Sequence, residues 1–405
     1  MKIKRIIAPV LIILLFCGCS DATEPDTLGY VVAIGIDEAE KQGYDITLQF
    51  ANPDKISGGA GEEGGKGGGD SIENITVTAS GIYSAVNIAN HIVSKTFVLS
   101  HTKLIVFSRD VCKEGIAKFL ETIGRSSDIR PNTYFGMSEG RARDFLEAVN
   151  PDTEVNPVRY YTMIFENDNS GFIPQNMSQD FYFYYDSIEK NTVMPICSVS
   201  GRENVPEYSD TGYQDMLENF KAGEIPSDKR EAQVMGAAVF SGDKVINELG
   251  DVETEIYNIL SGEYKESYVS YYYSQSPDVP VTVIQKQKRK PRIKVDVLGE
   301  KPKISIEIFA EADFAASTPR VAVENNLDEF IDEVSDEAEA EIRKFLKKTT
   351  DINADIVGFG SYAKRNFRTL KEFEEYDWKS KYKDAEFEVK VNFTVHRTGL
   401  IVRSD

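Results

Sequence analysis

The stretch Val31-Val32-Ala33-Ile34-Gly35-Ile36-Asp37 carries the strongest indication of the fold. It is a continuous apolar run with several β-branched residues, which predicts a strand buried on both faces. Residues 44–50 alternate between apolar and polar side chains, as expected of a half-buried partner strand. Another apolar strand is predicted at 103–108, and helical patterns begin after Ser80 and Asp110. This alternation of strands and helices indicates an α/β arrangement.

The second half of the chain is dominated by one long helical pattern. From Asn326 to Lys348 the apolar residues fall on one stripe, and acidic residues crowd the opposite face. Strictly alternating strands are predicted around 293–297, 304–308 and 386–395. Together these elements predict an α+β unit in which a long helix packs on an antiparallel sheet.

Composition excludes several classes of protein. The 405 residues include 46 Lys and Arg against 66 Asp and Glu, a net charge of −20, so no nucleic-acid partner is expected. Four cysteines are too few for a disulfide scaffold or an iron–sulfur frame. Three histidines argue against a multi-histidine metal site. We therefore predict no catalytic residues, no cofactor and no metal.

The first residues have the features of an export signal. Basic residues at positions 2, 4 and 5 precede an eleven-residue apolar run at 6–16, which is too short to span a membrane. Gly18-Cys19 at its end resembles a bacterial lipobox, in which the cysteine thiol becomes lipidated after cleavage. Cys17 fits less well because bulky Phe16 precedes it. An ordinary cleaved signal and a transmembrane anchor are the alternatives.

These observations predict a three-domain mixed α/β extracytoplasmic lipoprotein. A lipoprotein signal peptide at 1–18 is followed by an N-terminal α/β domain at 19–198, which contains a glycine-rich insert at 57–71. After a polar linker come a middle domain at 228–300 and a C-terminal α+β domain at 301–405.

Several short motifs, in this order, resemble the C subunit of spore germinant receptors, the Ger(x)C-type lipoproteins. They extend from residue 19 to about 400, so the resemblance covers nearly the whole chain. The matching segments are Gly18-Cys19, Val31–Asp37, Ser100-His101 before the strand at 103–108, Arg125 and Arg130, Gly236–Phe240, Asp355-Ile356-Val357-Gly358-Phe359-Gly360, Trp378 and Gly399.

The resemblance implies a role in nutrient-triggered spore germination. It implies a subunit held by a lipid at Cys19 on the outer face of the spore inner membrane, in a complex with membrane-embedded A and B subunits. It also implies no known catalysis. His101, Arg125, Arg130, Gly358 and Gly360 would then be structural or partner-binding positions.

Individual residues allow more than one interpretation. His101 follows Ser100, but neighbours in a strand point to opposite faces, so we expect a structural, hydrogen-bonded histidine and no catalytic pair. Arg125 and Arg130 would form intramolecular ion pairs or grip a partner's carboxylate. Whether Cys112 pairs with Cys197 stays open.

The basic run at 286–294 is interpreted as a solvated strand edge protected by lysines, with a membrane or partner contact as the alternative. For the whole chain we predict a non-enzymatic, lipid-anchored receptor subunit that acts in assembly and signalling. The rivals are a lipid-anchored solute-binding protein of a transporter and an anchored hydrolase, although the chain lacks GxSxG and HExxH motifs.

Overall fold

The computed structural model describes residues 27–51, 72–149, 156–166, 170–175, 177–200, 220–225, 231–274, 276–316 and 326–397. The predicted signal peptide, Cys19, the glycine-rich insert at 57–71 and Gly399 lie outside the described residues.

The strand predicted at Val31–Asp37 forms the middle of the first sheet. Its side chains pack into two separate apolar clusters, one on each face, so the prediction of double-sided burial is confirmed. Nine described strands belong to this sheet, in the order β3-β2-β1-β5-β6-β7-β8-β9, with β4 beside the start of β1. Their bounds are β1 Leu28–Glu38, β2 Tyr44–Ala51, β3 Ile72–Ala79, β4 Thr96–Val98, β5 Leu104–Ser108, β6 Tyr134–Ser138, β7 Val193–Val199, β8 Ala232–Ser241 and β9 Lys244–Leu249.

Strands β1, β4, β5, β6 and β7 run parallel, so they all begin at the same end of the sheet. Strands β2, β3, β8 and β9 extend the sheet through antiparallel pairs. Helices cover both faces, as parallel strands require. They are α1 Ile82–Ala89, α2 Arg109–Glu114, α3 Ala117–Arg125, α4 Ala142–Ala148, α5 Pro157–Phe165 and α6 Ser178–Tyr184.

A second sheet has the strand order β10-β11-β12-β13. The bounds are β10 Glu266–Tyr273, β11 Ser276–Asp296, β12 Lys303–Ala316 and β13 Glu386–Arg397. Helix α7 Asp251–Ser261 and the long helix α8 Leu327–Asp351 pack against it, followed by α9 Phe359–Ala363, α10 Leu370–Tyr376 and α11 Trp378–Tyr382. Phe330, Val334 and Leu346 of α8 are almost completely buried, so the predicted apolar stripe is confirmed.

The mixed α/β class is confirmed, with one correction to the second sheet. We predicted an antiparallel sheet, but β13 runs parallel to β12 because the chain returns through the helices α8 to α11 before it adds the last strand. A parallel neighbour requires such a crossover connection.

The three-domain division stays a prediction. Strand β8 lies beyond the gap that we predicted between 198 and 228, and it pairs directly with β7. The first sheet therefore includes strands from both sides of that gap.

Most of the basic run at 286–294 lies at an edge of the second sheet, because the pairing of β11 with β10 ends at Lys286 whereas its pairing with β12 continues to Asp296. Four cations of this run pair with glutamates of the neighbouring segments. These pairs are Lys286–Glu266, Lys288–Glu311, Lys290–Glu263 and Arg292–Glu307. Four of the six positive charges are thus matched within the chain, which leaves less reason to interpret this run as a membrane or partner contact.

Candidate functional site: the Asp355 loop

The segment Asp355-Ile356-Val357-Gly358-Phe359-Gly360 links α8 to α9 and is organised by one buried acid. The Asp355 side chain is 4% exposed. Its carboxylate accepts hydrogen bonds from the backbone N–H groups of Gly358 at 2.7 Å, Phe359 at 3.0 Å and Gly360 at 2.8 Å. The indole N–H of Trp378 donates a fourth, at 2.9 Å. Burial raises the pKa of Asp355, while these four donors act in the opposite direction.

Both glycines of this loop are required by its geometry. Gly358 has φ +89°, a left-handed conformation that side chains disfavour. At Gly360 a Cβ atom would lie 2.4 Å from the carbonyl oxygen of Glu189 and 2.8 Å from the Trp378 ring. The loop therefore approaches the Glu189 backbone more closely than any residue with a side chain would allow.

The same loop joins the two sheets. The backbone N–H of Asn191, which lies two positions before the start of β7, donates to the Asp355 carbonyl oxygen at 2.7 Å. Glu189 accepts from Lys364 Nζ at 2.6 Å and from Ser361 Oγ at 3.0 Å. The Asn191 side-chain amide donates to the Phe240 carbonyl of β8 at 3.0 Å. The first sheet and the C-terminal helices are thus connected by charge-assisted and backbone hydrogen bonds at one place.

A second contact between the two parts involves α8. Lys348 Nζ lies 2.7 and 2.9 Å from the two carboxylate oxygens of Glu253 in α7, and 3.0 Å from the Glu248 carbonyl oxygen in β9. These groups are mostly buried, with the Glu253 side chain 15% exposed. The long helix is therefore anchored to the end of the first sheet as well as to its own sheet.

Two carboxylates lie close together at the end of the first sheet where β6 and β9 finish, opposite the end at which β7 begins. Glu139 and Glu248 share the cations Arg109 and Lys221, with Arg109 Nη1 2.7 Å from Glu139 and Lys221 Nζ 2.7 Å from Glu248. Burial and the neighbouring Glu248 raise the pKa of Glu139. Burial acts in the same sense on Glu248, but Lys221 and Arg109 outweigh it and lower the pKa of Glu248.

The other predicted site residues do not join the Asp355 loop. His101 is exposed, and its ring packs edge to face on Tyr30 at 5.1 Å. Among the described residues it has no side-chain hydrogen bond of the kind that we expected. Arg125 and Arg130 are also exposed, and neither guanidinium makes an ion pair with any described residue. The intramolecular ion pairs that we expected for them are absent from the described part of the chain.

The two internal cysteines are separate. Cys112 and Cys197 are both free and fully buried, and they belong to different apolar clusters on the two faces of the first sheet. Burial raises the pKa of both thiols. The structure thus contains no disulfide between them.

Sequence reasoning missed the residues that receive the Asp355 loop. Glu189 and Asn191 stand in a polar stretch without periodicity, and their partners in the loop and beyond it lie more than 160 positions away along the chain. No local pattern identifies such a contact.

Comparisons with known proteins agree with the motifs. The family model described as spore germination protein N-terminal domain matches residues 21–199, and the model described as spore germination B3/GerAC like, C-terminal, matches residues 235–399. The chain belongs to the GerAC-like family of spore germination proteins.

Named relatives of this GerAC-like chain come from Bacillus subtilis (strain 168). Spore germination protein KC is 24% identical over 404 residues, covering 96% of this chain and 94% of the relative. The putative spore germination protein YfkR is 20% identical over 404 residues, covering 99% and 98%. The crystal structure of the GerBC protein matches with a TM-score of 0.50 and 14% identity, over 89% of this chain and 96% of that one, which supports the shared fold.

The family predicted from the motifs is therefore confirmed, and the chain is a C-type subunit of a spore germination receptor. The descriptions name germination proteins and no enzyme or transporter, which agrees with a non-enzymatic protein and does not favour the solute-binding alternative. Within the described residues, no helix is both long and apolar enough to cross a bilayer.

Proposed function

We propose that the chain is lipidated at Cys19 and acts on the outer face of the spore inner membrane. There it assembles with membrane-embedded A and B subunits and contributes to their response to nutrients. The proposal rests on the lipobox-like Gly18-Cys19, on the family and on the Asp355 loop. The Asp355 loop is the main support for the proposal. It connects the first sheet firmly to the C-terminal part, so a displacement of one part moves the other, which two loosely tethered parts would not do.

The length of the tether supports contact with the membrane. Strand β1 begins at Leu28, nine positions after Cys19. Even a fully extended segment of this length spans only about 30 Å. A lipid on Cys19 would therefore keep the start of β1 within about 30 Å of the bilayer surface. It would also raise the local concentration of the protein around embedded partners.

The Asp355 loop supports a mechanical role. It fixes the C-terminal sheet to the entry of β7 through the Asn191–Asp355 hydrogen bond and the Glu189–Lys364 ion pair. A partner bound to the C-terminal part would thereby be held in a defined position relative to the anchored part. The chain needs no cofactor for such a role.

The test is a pair of cysteine variants. Cys19→Ala removes the predicted lipid attachment, whereas Cys17→Ala removes the neighbouring cysteine that follows bulky Phe16. We expect Cys19→Ala to leave the spore membrane fraction and to abolish the nutrient response, with Cys17→Ala behaving as wild type. Two acyl chains are enough for stable anchoring. Since Cys19→Ala would carry none, we expect the variant to be absent from the membrane fraction in a fractionation assay.

Two results would contradict the proposal. One is a Cys19→Ala protein that is soluble and still supports germination. The other is mass spectrometry of the native protein showing an unmodified Cys19 thiol. Co-purification of the A and B subunits with wild type tests the assembly separately.

A further inference from the structure

A polar cleft lies beside the Asp355 loop, where the entry of β7 meets the end of α7. Its volume is about 480 Å³. Lys190, Thr192, Tyr184 and Tyr257 line it, and Val357 of the Asp355 loop closes one side. Sites of this size at the junction of two structural units are where small molecules commonly bind.

Lys190 brings a positive charge to this cleft. It is half-buried, and its Nζ lies 5.4 Å from the centre of the Tyr184 ring and 5.9 Å from that of Tyr257. Among the described residues, no carboxylate lies within ion-pair distance of it. Burial acts to lower the pKa of Lys190, but Tyr257, Tyr184 and Asp355 raise it by more, so the amine stays protonated at neutral pH.

Thr192 adds an unused hydrogen-bonding group. The residue is 3% exposed, and its hydroxyl oxygen has no hydrogen-bond partner among the residues that the structure describes. A buried hydroxyl in this state costs free energy unless a ligand or solvent satisfies it.

The acidic residues of the cleft, Asp180 and Glu263, contact groups other than Lys190. Asp180 accepts the backbone N–H of Met177 at the start of α6, at 3.4 Å. Glu263 forms an ion pair with Lys290 at 3.4 Å. Lys265, the other cation that lines the cleft, is exposed, whereas Lys190 is half-buried and has no carboxylate within ion-pair distance among the described residues.

We propose that this cleft binds a small organic molecule carrying one carboxylate, with the carboxylate on Lys190 and Thr192 and the apolar part on the rings of Tyr184 and Tyr257. The half-buried Lys190 ammonium and the Thr192 hydroxyl match a single negative charge, and the nearby Asp180 and Glu263 disfavour a dianion such as phosphate. The two tyrosine rings provide an apolar surface for a flat or aliphatic body.

This inference goes beyond the role in assembly, and it links the cleft to the Asp355 loop. The side-chain carbons of Lys190 lie 3.1–3.6 Å from the position of a Cβ atom on Gly358. The residue that would hold the carboxylate thus also packs on the loop that connects the two sheets.

Benzoate is a suitable probe, because it pairs one carboxylate with one ring, and uncharged benzamide is its matched control. Binding to the full-length chain is measured by saturation-transfer NMR. We expect benzoate to bind at least about tenfold more tightly than benzamide, since a hydrogen bond to a charged group contributes that much. A higher salt concentration should weaken the binding of benzoate and leave the binding of benzamide unchanged.

Variants locate the site. We expect Lys190→Met to weaken benzoate binding about tenfold, Lys190→Arg to retain most of it, and Thr192→Val to weaken it about threefold. Lys294→Met, which removes the same charge from an exposed position on β11, should bind as wild type. Thr192→Val loses no side-chain hydrogen bond to a described residue, so we expect it to fold normally. It therefore still tests the site if Lys190→Met fails to fold.

Equal binding of benzoate and benzamide would overturn the inference, and so would no benzoate binding by wild type up to about 100 mM. Unchanged benzoate affinity in a folded Lys190→Met or Thr192→Val protein would do so too. None of these results depends on lipidation of Cys19, so the proposal can fail while the role in assembly stands.

Discussion

The indole N–H of Trp378 lies 2.9 Å from the buried Asp355 carboxylate, which also binds three backbone N–H groups. A residue at the start of α11 thereby completes the loop that joins α8 to α9. The loop depends on a carboxylate that accepts at both oxygens, and this dependence can be tested.

Asp355→Asn should lower the free energy of unfolding by about 2–4 kcal/mol, because the amide NH2 would face N–H donors and leave them unpaired. Denaturant unfolding followed by fluorescence of Trp378 measures this. Asp351→Asn is the matched control, since Asp351 is 58% exposed and pairs with the exposed Lys347. It should change stability by less than about 0.5 kcal/mol. Equal effects of the two variants would show that the Asp355 hydrogen bonds matter little.

Gly360→Ala tests the close approach to Glu189. The new methyl group would lie 2.4 Å from the Glu189 carbonyl oxygen, so the backbone must shift, at a cost of about 1–3 kcal/mol. At Gly140 a Cβ atom meets nothing within 4 Å, and Gly140→Ala should be close to neutral. Thermal unfolding of the two variants gives the comparison, and a Gly360→Ala protein as stable as Gly140→Ala would contradict the described contact.

The carboxylates Glu139 and Glu248 should respond to pH in opposite senses. The raised pKa of Glu139 means that the folded state binds its proton more readily than the unfolded chain. The stability of wild type relative to Glu139→Gln should therefore rise as the pH falls through that pKa, and the rise should be complete below the ordinary value near 4.5.

The lowered pKa of Glu248 reverses the sign. The stability of wild type relative to Glu248→Gln should be fully present above pH 4.5 and lost as the pH falls through the lower folded value. Denaturant unfolding of the two variants from pH 7 to pH 3.5 supplies the data. Slopes of the same sign for both variants would be inconsistent with the arrangement around Arg109 and Lys221.

Two neighbouring lysines of α8 should differ in importance. Lys348→Met keeps the aliphatic length but leaves Glu253 partly buried without its cation, and should cost about 1–3 kcal/mol. Lys347 is 71% exposed and pairs with Asp351, so Lys347→Met should cost less than about 0.5 kcal/mol. Chemical denaturation distinguishes them, and a cost for Lys347→Met as large as that for Lys348→Met would rule out the anchoring role of Lys348.

Local patterns predicted individual elements well. The apolar run of β1 and the stripe of α8 depend on periodicity within one segment, and both were predicted close to their observed bounds. The pattern could not reveal which segments pair. The basic run of β11 was interpreted as a strand edge, which agrees with a register in which β10 reaches only Lys286, but the pattern did not reveal that nearby glutamates match four of its charges.

The candidate site was predicted in part. Gly358 and Gly360 were singled out by resemblance, and the structure explains them by a left-handed backbone and by the contact with Glu189. The acid that organises the loop and the segment that receives it were not recognised. Their partnership joins positions far apart in the chain, and its physical cause, the sharing of one carboxylate among four donors, appears only when the chain is folded.

The pairing of β8 with β7 has a consequence for dissecting the protein. A fragment that ends at Val199, where the N-terminal family model ends, would lack β8 and β9. The outer backbone groups of β7 would then be unpaired beside Met194 and Ile196, which are fully buried in the whole chain. An exposed apolar edge strand of this kind promotes association between copies of the fragment. We therefore expect that the shortest N-terminal fragment that stays monodisperse extends through Leu249.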